Sequence, residues 1–452
     1  MNQSTATSST NEPVNHQPEA RQAPRAAMAI VFIVVVVDLL GFGIVLPLLP
    51  LTGDEYVKPL IADERAHGPI LGLLMAAFSA MQFLFSPAWG RLSDRIGRRP
   101  VILVGLVGSV IFYSLFGFAA GLYAPGRSES LAALALVLLF VARIGAGVAG
   151  ATIATAQAVI ADCTSQENRK KGMALIGAAF GIAFTFGPLV GAAAMRFAPT
   201  NQDATSWTGY IAAGLSLIAL ILAIALLPET RQPGRSDGLR RSLFDRSAWR
   251  AALSNWALAP VILTFFLATL GFGAFEPTLS FLLTDSVKIN KDKIYLVFAY
   301  VGFVLMLTQG LLYRRLAKKW SEFAFMNVGI ILMAVGLLAL GAVSWLAISG
   351  VGDYDLSFNA LMTLLLIALA TAVVGFAFVT PSAQALVSRR TSPEKQGEIL
   401  GVNQSMASLA RILGPIFGVS LYKLTPAHML PYVFGALLLA LMLPLMPRIR
   451  KG

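Results

Sequence analysis

Four ionisable side chains stand inside long apolar runs of this 452-residue chain: Asp38, Arg143, Glu276 and Arg411. A charge in such a run costs at least a few kcal/mol unless it is paired or hydrated, so side chains kept there face one another or a wet cavity. Asp38 and Glu276 are therefore candidate sites of proton exchange or substrate binding; the plainer alternative is a structural ion pair or an acid that stays neutral. Guanidinium does not shed its charge, so Arg143 and Arg411 each need an acidic partner or water, and no partner for Arg411 is evident. Pro277 directly follows Glu276, and Pro47 lies nine residues beyond Asp38. Proline removes a backbone donor and clashes with the preceding turn, so both prolines are candidate hinges with freed carbonyls.

Other chemistries are excluded. Gly145, Gly147 and Gly150 satisfy a dinucleotide-binding spacing, but no strand precedes them and they fall inside a membrane-length run, so close helix packing is the better account. The single Cys163 rules out a disulfide framework or a multi-cysteine metal site. There is no Walker loop, nucleophile elbow or metal-spaced His/Glu pair. The chain is expected to be no enzyme and to use no cofactor or metal.

The elements that must position these residues follow from composition. The chain is 56% hydrophobic and 13% charged, against about 25% charged in a soluble domain, and its mean hydropathy is +0.72. Cutting at polar turns leaves twelve apolar segments near 27–50, 70–89, 101–121, 131–160, 172–195, 208–227, 257–283, 294–313, 323–349, 358–386, 398–422 and 429–447. Each is long enough to cross about 30 Å of hydrocarbon. We number them spans 1 to 12. The net charge of +12 is topological: 25 of the 35 Lys and Arg residues lie in alternate loops and tails, 8 in the opposite set, and two inside spans. That bias places both termini in the cytoplasm and leaves no basic face for nucleic acid.

The expected organisation is a disordered cytoplasmic tail over 1–26, an N-terminal six-helix bundle over 27–227, a cytoplasmic linker over 228–256, a C-terminal six-helix bundle over 257–447 and a short tail over 448–452. The polar tail cannot bury enough apolar area to fold. The halves echo one another. Leu40-Gly41-Phe42-Gly43 with Pro47 returns as Leu270-Gly271-Phe272-Gly273 with Pro277. Gly90 with its following charges returns at Gly310, Thr164-Ser165-x-Glu167 at Thr391-Ser392-x-Glu394, and Gly187-Pro188-x-x-Gly191 at Gly414-Pro415-x-x-Gly418. The offsets are 230, 220, 227 and 227 in chain order. Four echoes in register argue for duplication, and parallel repeats build two bundles about an axis along the membrane normal. The fold class expected is an all-α integral membrane protein of twelve transmembrane helices in two pseudo-symmetric six-helix bundles.

Between spans 2 and 3 lies Gly90-Arg91-Leu92-Ser93-Asp94-Arg95-Ile96-Gly97-Arg98-Arg99-Pro100, a turn too short to be a domain. Asp94 is placed to cap a neighbouring helix N-terminus and Arg95 to pair with Asp162 at the end of span 4. The plainer alternative is a turn that anchors topology. Span 5 carries Gly177, Gly181, Gly187, Pro188 and Gly191, small residues that let helices approach closely.

The pattern G-x-L-x-D-R-x-G-R-R-P resembles the signature loop between helices 2 and 3 of the major facilitator superfamily of transporters. The resemblance spans residues 27–447 and is strongest to twelve-helix drug/proton antiporters, the tetracycline-efflux branch above all. The supporting motifs are D-x-x-G-x-G-x-x-x-P-x-x-P from Asp38 and the segment from Arg143 through Gln157 to Asp162. It implies a cytoplasmic latch of Gly90, Asp94, Arg95, Gly97, Arg98, Arg99 and Asp162, with Asp94 reaching the start of span 11 and releasing in the inward-open state. Arg314 stands where the second copy would need Asp94, so one latch is implied. The resemblance also assigns Arg143 and Gln157 to proton coupling and the span 5 glycines to an antiporter motif, hence to export. Tetracycline pumps carry an intramembrane histidine in their second half. Here His16, His67 and His428 lie outside spans or at their edges and Glu276 occupies span 7, which points away from tetracycline itself.

The expected function is thus a proton-coupled exporter of cationic or zwitterionic amphipathic drugs, with a cavity between the halves lined by spans 1, 4, 7 and 10. Its partners would be a small-molecule substrate, protons and the lipid bilayer, in a monomer crossing a bacterial inner membrane many times. The alternatives are an importer of a sugar or other metabolite on the same fold, or a non-transporting receptor or membrane enzyme.

Overall fold

The computed structural model describes residues 25–124, 126–164, 169–198, 204–231, 246–349, 358–392 and 395–451. Most of the expected tail over 1–26, the middle of the linker and parts of the Thr-Ser-x-Glu echo lie outside the described residues. Among those described, the regular elements are all helical. Eleven helices are long and apolar enough to cross a membrane, and Leu430–Leu445 is a shorter twelfth. Helices satisfy every backbone group internally, as hydrocarbon requires.

Spans 3, 6, 9 and 10 are unbroken helices, Arg98–Leu122, Ala204–Leu226, Glu322–Ser349 and Phe358–Arg389. Span 1 stops at Val45, two residues before Pro47, and restarts as Leu49–Val57, beyond the end expected at residue 50. Span 4 is Glu129–Gly150 followed by Ile153–Asp162, with a turn at Ala151 and Thr152 between them. Span 7, Ala259–Phe281, passes unbroken through Pro277. The loosened backbone expected at that proline comes after it, as the π-turn Leu282–Ser286.

The two halves pack by one scheme. In the first, span 1 lies on spans 5 and 6, and span 3 on spans 4 and 6; in the second, span 7 lies on 11 and 12, and span 9 on 10 and 12. The echoed glycines meet at equivalent crossings: a Cβ on Gly187 would lie 2.9 Å from the Gly43 Cα, and one on Gly414 3.0 Å from the Gly273 Cα. Side chains there would push the helices apart.

Across the halves, span 2 pairs with span 11 and span 5 with span 8, again as equivalents. Span 2, Glu64–Ile96, runs antiparallel to span 11, Gln396–Leu424. Gly68 at its start meets Ser420 near the end of span 11. The start of span 11 therefore shares a face with Gly97. Span 1 begins on that face, beside Ile160 and Leu227, and so does Ile449, whose carbonyl accepts from Arg390. We call this the termini face.

Candidate functional site

The charged turn on the termini face is mostly helix. Span 2 continues to Ile96, and only Gly97 separates it from Arg98–Leu122. Gly97 has φ +111°, a backbone conformation that strains any residue with a side chain, and the Glu229 carboxylate packs against it. This corrects one expectation, the pairing of Arg95 with Asp162. Arg98, first residue of the new helix, turns back over the old one: its Nε donates to Asp162 at 3.2 Å and its Nη1 to Asp94 at 2.5 Å and Ser93 at 2.7 Å. Asp162 is thus held by Arg98 rather than Arg95, because the extra helical turn carries Arg95 away; its carbonyl accepts from Arg231 instead. Asp94 is 54% exposed and its bond stays within this turn, so the reach to span 11 is not made in this conformation. Glu229 accepts from the backbone N–H groups of Arg98 at 2.9 Å and Arg99 at 3.1 Å. It caps span 3 from the start of the linker. Burial pushes its carboxyl up, but the backbone donors of Arg231, Arg98, Arg99 and Thr230 outweigh that and hold it below its ordinary range.

Between the halves lies a cavity of about 400 Å³. Arg143, Glu276 and Arg411 all line it, together with Gly181 and both Pro188 and Pro277. Its walls come from spans 1, 4, 7 and 10, as expected, and also from 2, 5, 8 and 11, whose inner faces are uncovered toward the termini face. Phenylalanine is the commonest residue in the remaining lining, beside Gln82, Gln309, Gln384 and Gln404; Phe272 and Phe376 stack at 4.1 Å and Phe42 meets Phe184 edge-on at 6.1 Å.

Arg143 is 2% exposed. Its guanidinium sits 4.8 Å above the Phe78 ring and 5.6 Å above Phe42. Such contacts contribute about 0.5–2 kcal/mol, whereas burying one ion costs several. Both rings lie on one side of the guanidinium, their centroids only 4.9 Å apart, and its Nε and Nη2 have no hydrogen-bond partner among the described residues. Arg411 donates to Ser408 on its own helix at 2.9 Å.

Asp38 stands apart. It lines a side chamber of about 30 Å³ with Tyr113, Gln82 and Thr152, and the Ser109 hydroxyl donates to its Oδ1 at 2.7 Å. Leu39, Phe42, Phe78 and Gln82 belong to both chambers and form the partition. Gln157 lines neither. In the span 5 motif, Gly187 packs on Gly43 and Gly191 faces the Tyr295 ring; the surroundings of Gly177 lie outside the described residues. Sequence reasoning missed Ser109, Tyr113 and Gln82, uncharged polar residues among several in their helices, for which only their position opposite Asp38 is a signal.

The family model described as Major Facilitator Superfamily matches residues 31–358 and 356–451. The chain belongs to the Major Facilitator Superfamily. It is 30% identical to the Bos taurus protein named major facilitator superfamily domain-containing protein 10, over 93% of this chain and 92% of that one. It is 29% identical to tetracycline resistance protein, class C, of Escherichia coli, over 94% and 97%. Among solved structures it is similar to the human organic anion transporter MFSD10 (TETRAN), with a TM-score of 0.62, 26% identity, and 95% and 100% of the two chains covered. The D-xylose-proton symporter, at a TM-score of 0.72 and 15% identity over 94% and 99%, shares the fold. The protein is a multi-pass membrane transporter for small molecules, not an enzyme, and its likeness to the tetracycline-efflux branch agrees with the sequence motifs.

Proposed function

We propose that the protein is a proton-coupled antiporter that exports cationic or zwitterionic amphipathic molecules by alternating access, with both termini cytoplasmic. One observation carries this reading: Glu276 shares a single aromatic-walled cavity between the halves with Arg143 and Arg411. An acid there serves proton and cargo in turn, and the aromatic walls suit an apolar body. The relatives named for tetracycline resistance and for organic anion transport support an amphipathic cargo. In the cycle, the cytoplasmic-facing cavity takes up cargo with Glu276 ionised. Opening to the other face lets a proton displace the cargo, and closure returns the proton to the cytoplasm. Asp38, in a chamber of about 30 Å³ behind the partition, is the second proton position.

The test is proton-gradient-driven transport in inverted vesicles. Glu276→Gln is expected to abolish coupling and Asp38→Asn to slow it at least tenfold. If both variants retain full coupling, the proton assignment is wrong.

A further inference from the structure

We infer that the cargo is a zwitterion, its anionic group held by Arg143 and Arg411 and its cationic group by Glu276. The inference rests on the antiport reading of the cavity and narrows it to a charge pattern.

Two cations and one acid line the cavity. Arg143 is 2% exposed and carries two guanidinium nitrogens with no hydrogen-bond partner among the described residues. Phe42 and Phe78 pack against it from one side, and its unbonded N–H groups are left for a ligand. Planar N–H donors match a carboxylate or sulfonate, which can accept two parallel bonds. Arg411 enters from the other half with one bond, to Ser408 on its own helix. A purely cationic cargo would meet the surplus positive charge and leave these donors unused.

The sign of the coupling excludes the other simple class. A purely anionic cargo binds better when Glu276 is protonated, because the proton removes the one negative charge in the cavity. Proton and anion would then travel together. Antiport requires that cargo and proton exclude one another, and a cationic group beside Glu276 does that directly. A molecule with both charges on an apolar body is the class that satisfies the arginines and competes with the proton.

Three probes with one aromatic body test this on the purified wild-type protein: 3-(2-naphthyl)alanine, 3-(2-naphthyl)propionate and 2-(2-naphthyl)ethylammonium. Binding is read by calorimetry in weakly buffered detergent solution, with proton exchange followed at the same time. The zwitterion is expected to bind at least about tenfold more tightly than either relative and to release protons, while the propionate takes protons up. Arg143→Gln and Arg411→Gln should each weaken naphthylalanine about tenfold or more, Arg143→Lys less, and Glu276→Gln should remove the proton release. If the ammonium binds as tightly as the zwitterion, or the three are equal, or none binds at millimolar concentration, the inference is overturned. Should a variant not fold, the wild-type order decides alone. The export reading fails on a separate readout: no gradient-driven accumulation of any cargo in inverted vesicles, whatever the binding order.

Discussion

The two faces of the molecule are held differently. On the face opposite the termini the halves are bonded across their interface. The Lys423 ammonium meets the buried Asp54 carboxylate at 3.1 Å, Lys291 meets Glu55 at 2.7 Å, Ser280 donates to the Pro47 carbonyl at 2.6 Å, and Tyr295 to that of Ile44 at 3.1 Å. Backbones touch as well: a Cβ on Gly72 would lie 2.6 Å from the Ile416 Cα, and one on Gly302 2.3 Å from the Phe184 carbonyl oxygen. On the termini face the bonds of Arg98, Arg389 and Arg390 each stay within one half or its linker. There a Cβ on Gly181 or Gly401 would meet nothing within 4 Å among the described residues. The same spans, 5 and 11, are thus clamped at one end and parted at the other. This is the geometry of a cavity closed at the bonded face and open toward the termini, and alternation requires the bonded face to let go.

The sharpest test sets Gly72 against Gly401. Gly72→Leu should cost about 1–3 kcal/mol by driving a branched side chain into the span 11 backbone, and should cut transport at least tenfold. Gly401→Leu should leave stability unchanged or slightly raised. Thermal unfolding and vesicle transport measure both, and equal destabilisation would erase the contrast between the faces. Within the bonded face, Lys423→Ala should cost about 1–3 kcal/mol, since it strips a cation from an Asp54 side chain only 6% exposed. Lys291→Ala should cost less than about 1 kcal/mol, because its pair with Glu55 is 38% and 32% exposed. Unfolding in detergent that ranks them the other way would show that burial is not what makes this face hold. The smallest effect is expected on the termini face. Glu229→Gln should cost about 0.5–1 kcal/mol at neutral pH. Because the Glu229 carboxyl is held below its ordinary range, its contribution is complete above that range and is lost as pH falls through the lowered value. Wild type and variant should therefore converge on acidification, and a gap that persists in acid would mean the carboxylate is not the cap.

Several of these features could be read from the chain alone. Span positions followed from hydropathy, because lipid leaves a helix no polar freedom. The duplicated Gly43 and Gly187 motifs foretold crossings that the halves share. Arg143, Glu276 and Arg411 converge on one cavity because a charge in a membrane-length apolar helix has few other places to go. What escaped depends on rotation and on where helices end. Hydropathy cut span 2 at its first charges, but a helix does not stop at the membrane surface, and the added turn to Ile96 exchanged Arg95 for Arg98 as the partner of Asp162. The donor to Asp38 is one hydroxyl among several in span 3, and only the way that helix is turned selects Ser109. The π-turn Leu282–Ser286 begins five residues beyond Pro277, where no residue type signals it.

The alcove around Asp38 has a consequence for selectivity. About 30 Å³ admits one or two water molecules and excludes both a hydrated alkali ion and any drug. A blocker filling the large vestibule would plug the route for cargo while leaving this carboxyl untouched. The aromatic partition of Phe42 and Phe78 thus sieves by size, and widening it with alanine is the change that would admit a larger ion to the Asp38 carboxyl.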